Sequence, residues 1–150
     1  MDAFAVNATA EADNTATRGL RVLVIDDDES VGAAIRSILG RRGSETELAS
    51  RACVGIQALG SSRFDVVLID VFMPGMSGLD AIAHIRQLRL PTPIIAMSGF
   101  RLGRSQIDYV GMAMQRGASG YLGKPFVPQQ LVEVIHRSLS SATPAKDSMQ

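Results

Sequence analysis

Cysteine and lysine are the scarcest chemistry in this chain of 150 residues: Cys53 stands alone, and only Lys124 and Lys146 are lysines among fifteen basic residues. A single cysteine excludes an internal disulfide and any cysteine-based zinc site, and the pattern around Cys53 reads as a small apolar core or half-buried position. Charge of one sign is also missing. Fifteen acidic residues balance the fifteen basic ones, so no overall field favours nucleic acid or an anionic membrane. No long hydrophobic run occurs, and the opening MDAFAVNATAEADNTATRG has neither a basic start nor an apolar stretch long enough for a signal peptide or a membrane span. The expectation is a cytoplasmic protein with a disordered tail over residues 1–19, because that segment offers too little to bury. Residues 140–150 read as a second, flexible tail. No internal repeat is visible.

What is present is a series of short apolar runs that each end on a polar residue. The apolar content of 46% suffices for one two-sided core, hence one domain. Val66 to Ile69 is branched and apolar without alternation, as in a strand buried on both faces, and Asp70 closes it. Pro74, Gly75 and Gly78 then mark a turn, with Ser77 as N-cap of a helix beginning near Leu79. Leu20 to Ile25 is a similar run and ends in Asp26, Asp27 and Asp28. A helix follows, carrying Val31, Ala34, Ile35, Ile38 and Leu39, with Asp28 or Ser30 as its cap.

Glu45 to Ala49 is a weak, partly polar strand suited to a sheet edge, and a helix with Val54, Ile56, Ala58 and Leu59 comes next. The helix after Asp70 places Leu79, Ile82, Ile85 and Leu88 on one face and leaves His84 solvated. Ile94 to Met97 is a further buried strand, ending on Ser98. Gln106 to Arg116 reads as a helix whose Val110, Met112 and Met114 belong to the core. Ser119 to Leu122 is the last strand, running into Gly123-Lys124-Pro125, and a helix from Pro128 to Leu139 buries Leu131, Val134, Ile135 and Leu139. Alternating strands and helices imply right-handed crossovers and a parallel sheet covered on both faces, an α/β fold of three layers.

In such a sheet the carboxyl ends of the strands share one edge, where ligands bind. Asp26, Asp27, Asp70, Ser98 and Lys124 therefore converge. Carboxylates brought together repel unless a cation sits among them, and Mg²⁺, a hard ion with oxygen ligands and exchangeable waters, meets that need. A hydroxyl and an ammonium complete a set suited to phosphoryl transfer onto a carboxylate oxygen.

The acidic pair Asp26-Asp27, Asp70 followed by Met73-Pro74-Gly75, Ser98, and Lys124-Pro125-Phe126 together resemble the receiver domain of two-component response regulators. The likeness covers residues 20–139. It implies the flavodoxin-like (CheY-like) fold with strand order 2-1-3-4-5 and five helices. It further implies Asp70 as phosphoacceptor for a sensor histidine kinase or histidine phosphotransfer protein. Asp26, Asp27, Asp70 and the backbone carbonyl of Phe72 would hold Mg²⁺, and Lys124 would pair with a phosphoryl oxygen ahead of a cis bond to Pro125. Ser98 and Tyr121 would form the switch that biases the surface of the fourth helix, fifth strand and fifth helix. That surface would bind a downstream protein target or a second, phosphorylated copy, with no direct role for nucleic acid or membrane. With only a short polar tail after the fifth helix, the chain reads as a stand-alone receiver whose output is binding or onward transfer, not enzymatic turnover, or else as a piece cut from a longer regulator.

Three features depart from the family. Ser98 replaces the commoner threonine and keeps the hydroxyl. Phe72 is bulky for its position, which implies altered access of water and small donors to the acceptor. The segment from Ser98 to Lys124 is about one helical turn longer than usual; its Arg101 and Arg104 read first as a solvated loop, exposed arginine being common, and otherwise as groups that reach the phosphoryl group or a partner's acidic face. Asp26-x-Asp28-x-Ser30 also resembles the start of a haloacid-dehalogenase-type phosphatase, but that family needs a late-strand acid, and Glu133 and Asp147 are the only acids after Lys124. A receiver-like module that binds partners without phosphorylation is the remaining alternative.

Overall fold

A computed structural model describes residues 19–99 and 108–148, with side chains to residue 141. Arg101, Arg104 and the amino-terminal segment to residue 18 lie outside the described residues. The elements are β1 (Arg21–Ile25), α1 (Glu29–Gly40), β2 (Glu45–Ala49), α2 (Ala52–Ser61), β3 (Val66–Asp70), α3 (Gly78–Gln87), β4 (Ile94–Gly99), α4 (Tyr109–Arg116), β5 (Gly120–Lys124) and α5 (Pro128–Ser148). The five strands form one parallel sheet in the order β2-β1-β3-β4-β5, the expected 2-1-3-4-5. The charged strand β2 takes an edge, where Glu45 and Glu47 reach solvent.

Alternation along the central strands divides the core in two. Val22, Val24, Val66, Leu68, Ile95 and Met97 meet Ile35 and Leu39 of α1 and Leu131, Val134 and Ile135 of α5. Leu23, Ile25, Val67, Ile69, Ile94 and Ala96 meet α2, α3 and α4 through Leu59, Ile82, Ile85 and Ala113. The chain from Val66 to Ile69 is wholly shielded from water. Each such Val, Leu or Ile contributes roughly 1.5–3 kcal/mol from burial alone, so the strand that carries Asp70 is firmly seated at the centre of the sheet.

Several helix expectations need correction. Cys53 is exposed, because Ala52, Gly55 and Leu59 form the buried face of α2 and Cys53 falls about 100° from Ala52 around the axis. Leu88 is 46% exposed: α3 ends at Gln87, Leu88 is its C-cap, and Arg89 turns left-handed at φ 62°, swinging the chain away from the core. Val110 and Met114 are also exposed. They lie one turn apart on the outer face of α4, whose only fully buried residue is Ala113. Strand β5 reaches Lys124, and α5 runs on to Ser148 rather than ending at Leu139: no glycine or proline stops it just after Leu139, and it continues through Pro144.

Candidate functional site

Register sets the site. Ile25 pairs with Ile69, Asp70 with Met97, Ser98 with Gly123 and Gly99 with Lys124. The polar residues that close β1, β3, β4 and β5 are thus nearly level at one edge of the sheet. Asp26 and Asp70 are buried, Ser98 is buried, and Asp27 is exposed. One carboxylate oxygen from each of Asp26, Asp27 and Asp70 lies within 4.8 Å of the others.

Lys124 ties the acids together. Its Nζ stands 3.0 Å from Asp26 Oδ2 and 3.3 Å from Asp70 Oδ2. The other oxygens accept from the backbone: Asp28 N–H donates to Asp26 Oδ1 at 2.9 Å, and Phe72 N–H donates to Asp70 Oδ1 at 3.0 Å. Burial pushes the Asp70 carboxyl up to about 6, and the nearby Asp26 charge adds to this against the opposing Phe72 N–H and Lys124. Burial works against the Lys124 charge, but its hydrogen bond to Asp26 and the two negative carboxylates outweigh that cost and raise it above the ordinary lysine value. Two buried acids and one exposed acid with a single ammonium leave room in charge for a divalent cation. The all-oxygen donor set fits a hard ion such as Mg²⁺.

Asp28 belongs elsewhere. Its Oδ1 accepts from Ser30 N–H at 3.0 Å and Ser30 Oγ at 2.6 Å, capping α1, and these bonds hold its carboxyl below the usual range. Asp28, the second acid of the phosphatase-like Asp26-x-Asp28 pattern, is therefore engaged as a helix cap.

Ser98 and Tyr121 project from the same face of neighbouring strands, because Tyr121 pairs with Ala96, two residues before Ser98. Their hydroxyls are joined by a short hydrogen bond. The peptide bond between Lys124 and Pro125 is cis. Beyond Asp70, the α3 start comes so close that a Cβ on Gly78 would run into the Asp70 carbonyl oxygen and lie 2.7 Å from Val71 Cα. Only glycine lets Ser77 cap α3, through the Asp80 N–H at 3.2 Å, while the helix leans on the acceptor strand. The sequence marks Gly78 as a turn residue and offers no sign of this approach.

Two further residues escape the sequence reading. Tyr109, first in α4, meets the Phe72 ring edge-on, with centroids 4.5 Å apart and planes at 78°. Arg86 is half-buried, and its guanidinium donates to the carbonyls of Gly117 at 2.9 Å, Leu90 at 2.7 Å and Thr92 at 2.9 Å. Burial lowers its pKa. A spacing pattern cannot reveal either residue, since Tyr109 acts through a ring on another segment and Arg86 through backbone carbonyls beyond its own helix.

The family model described as the response regulator receiver domain matches residues 22–136. Among curated relatives, the DNA-binding transcriptional regulator NtrC of Azospirillum brasilense is 34% identical over 82% of this chain and 25% of its own length. The transcriptional regulatory protein DltR of Streptococcus agalactiae is 32% identical over 77% of this chain and 50% of its own. The chain thus spans half or less of these relatives. A response regulator receiver domain protein from Clostridium thermocellum superposes with a TM-score of 0.74 at 29% identity, covering 84% of this chain and 98% of that one. Full-length FixJ from B. japonicum gives 0.76 at 30%, covering 87% and 63%.

Proposed function

Because the chain belongs to the response regulator receiver family of two-component signalling, we propose that Asp70 takes a phosphoryl group from a phosphohistidine of a sensor histidine kinase or histidine phosphotransfer protein. The observation that carries this reading is the Asp70 carboxylate at the carboxyl end of β3, paired with Lys124 Nζ and beside Asp26. An Asp70 oxygen attacks phosphorus as the N–P bond breaks. The bonding electrons leave with the imidazole, and Asp70 carries an acyl phosphate.

The protein's work is positioning and charge neutralisation. Asp26, Asp27, Asp70 and the Phe72 carbonyl would hold Mg²⁺, which supplies positive charge to the phosphoryl oxygens. Lys124 moves from its carboxylate partners to a phosphoryl oxygen. Ser98 turns its hydroxyl to the phosphoryl group, and Tyr121, bonded to it, follows. The consequence is a changed surface on α4, β5 and α5, where Val110, Met114 and Val127 are exposed. That surface binds a downstream protein or a second phosphorylated copy, or the group passes onward to another histidine.

The protein is a phosphoacceptor without turnover of its own, works in the cytoplasm, and makes no direct contact with nucleic acid. Among the described residues no helix is long and apolar enough to cross a membrane. The test is intact mass after incubation with Mg²⁺ and a small acyl-phosphate donor. A hydroxylamine-labile phosphoryl adduct on the parent, absent from Asp70→Asn, supports the reading. No adduct from small donors or histidine kinases would favour a binding module that works unphosphorylated.

A further inference from the structure

Helix α4 is secured differently at its two ends. Its carboxyl end stops at Gly117, left-handed at φ 114°, whose carbonyl accepts from Arg86 Nε at 2.9 Å. The same guanidinium holds the Leu90 and Thr92 carbonyls, so this end is bonded to the α3–β4 connection. A Cβ on Gly117 would sit 2.6 Å from Arg86 Cγ, which leaves no slack there.

The amino end is held by other means. Asp108 caps the helix from within, accepting from Gly111 N–H at 2.8 Å, and Tyr109 reaches across to the Phe72 ring. Phe72 in turn gives its N–H to the acceptor carboxylate. Both rings are half-buried against the core that α2, α3 and α4 share. A continuous line of contact therefore runs from Asp70 through Phe72 to the first residue of α4.

We propose that Phe72 and Tyr109 form an aromatic latch, with Tyr109 as the positioning residue that holds Phe72 against the acceptor and so sets the lifetime of the acyl phosphate. The inference rests on the phosphoacceptor function proposed above. An edge-to-face ring contact can be undone by a small shift of either partner, whereas the charged, three-carbonyl anchor at Arg86 cannot. Coupling is reciprocal: a partner seated on Val110 and Met114 that steadies α4 also keeps Phe72 in place and slows hydrolysis.

The experiment follows the decay of the phosphoryl adduct by intact mass for the parent, Tyr109→Ala, Tyr109→Leu, Tyr109→Phe and Phe72→Ala, with thermal unfolding of each. Loss of the ring shortens the half-life about fivefold in Tyr109→Ala and Tyr109→Leu, by the size of such ring contacts, while Tyr109→Phe decays like the parent. In a Phe72→Ala background, Tyr109→Ala has no further effect. Equal half-lives for the parent and Tyr109→Leu, or an undiminished Tyr109 effect without Phe72, overturn the latch and leave the phosphoacceptor reading standing. A parent that takes no phosphoryl group overturns both.

Discussion

Lys124 Nζ lies 3.3 Å from Asp70 and 3.0 Å from Asp26, so one ammonium from β5 counters the charges that close β1 and β3. Two buried acids left without it would repel. Lys124→Met should destabilise the protein at pH 7 without divalent cations by about 1–3 kcal/mol, less than a fully buried pair because water reaches the site. Urea unfolding in a chelating buffer measures it, and an unchanged midpoint would show that the ammonium is not needed to hold the acids.

The raised Asp70 carboxyl makes stability depend on pH with a sign opposite to an ordinary salt-bridged aspartate. With a folded value of about 6 against an ordinary 3.8, the folded state binds the proton more tightly between those values. This contribution is fully present below about pH 4 and is lost as the pH rises through 6. Discounted for solvent at the open face, it amounts to about 1–2 kcal/mol. Asp70→Asn should flatten this part of the pH profile and be the more stable protein at pH 7 in chelator. Equal slopes for the two proteins between pH 4 and 7 would contradict the shift.

The hydrogen bond between Ser98 and Tyr121 should appear as coupling. Ser98→Ala and Tyr121→Phe each cost about 1 kcal/mol, and the double variant costs little more than either alone. Additive losses in the denaturation cycle would mean that the two hydroxyls act separately.

Arg86 is a structural anchor, not a surface charge. Arg86→Met keeps the apolar stem but strands the carbonyls of Leu90, Thr92 and Gly117, at a cost of about 2–3 kcal/mol. Amide hydrogen exchange should locate the loss at the carboxyl ends of α3 and α4; protection there equal to the parent's would assign Arg86 no such role.

The strands and the convergence of Asp26, Asp70, Ser98 and Lys124 were legible in the sequence because short apolar runs lead into these polar residues, and a parallel sheet gathers those ends. Helix faces were less legible. Over the eight residues of α4, Val110 and Met114 fit a buried stripe as well as Ala113 does, and only the shallow seating of α4 decides between them. Leu88 fits the i, i+3 rhythm of α3, but Arg89 ends that rhythm with a left-handed turn. Arg86 and Gly78 derive their importance from backbone atoms of other segments, and neighbouring residues carry no trace of that. The pairing of Tyr109 with Phe72 is of the same kind.

The side chain that bears the phosphoryl group can be identified directly. Borohydride reduction of the protein after reaction with a phosphohistidine donor and Mg²⁺ converts an acyl-phosphorylated aspartate to homoserine, and peptide mass spectrometry then locates it. Homoserine at position 70, absent without donor, is the predicted result. Homoserine at position 26 or 27, or a phosphoryl group that maps to a serine, would contradict the assignment of Asp70 as acceptor.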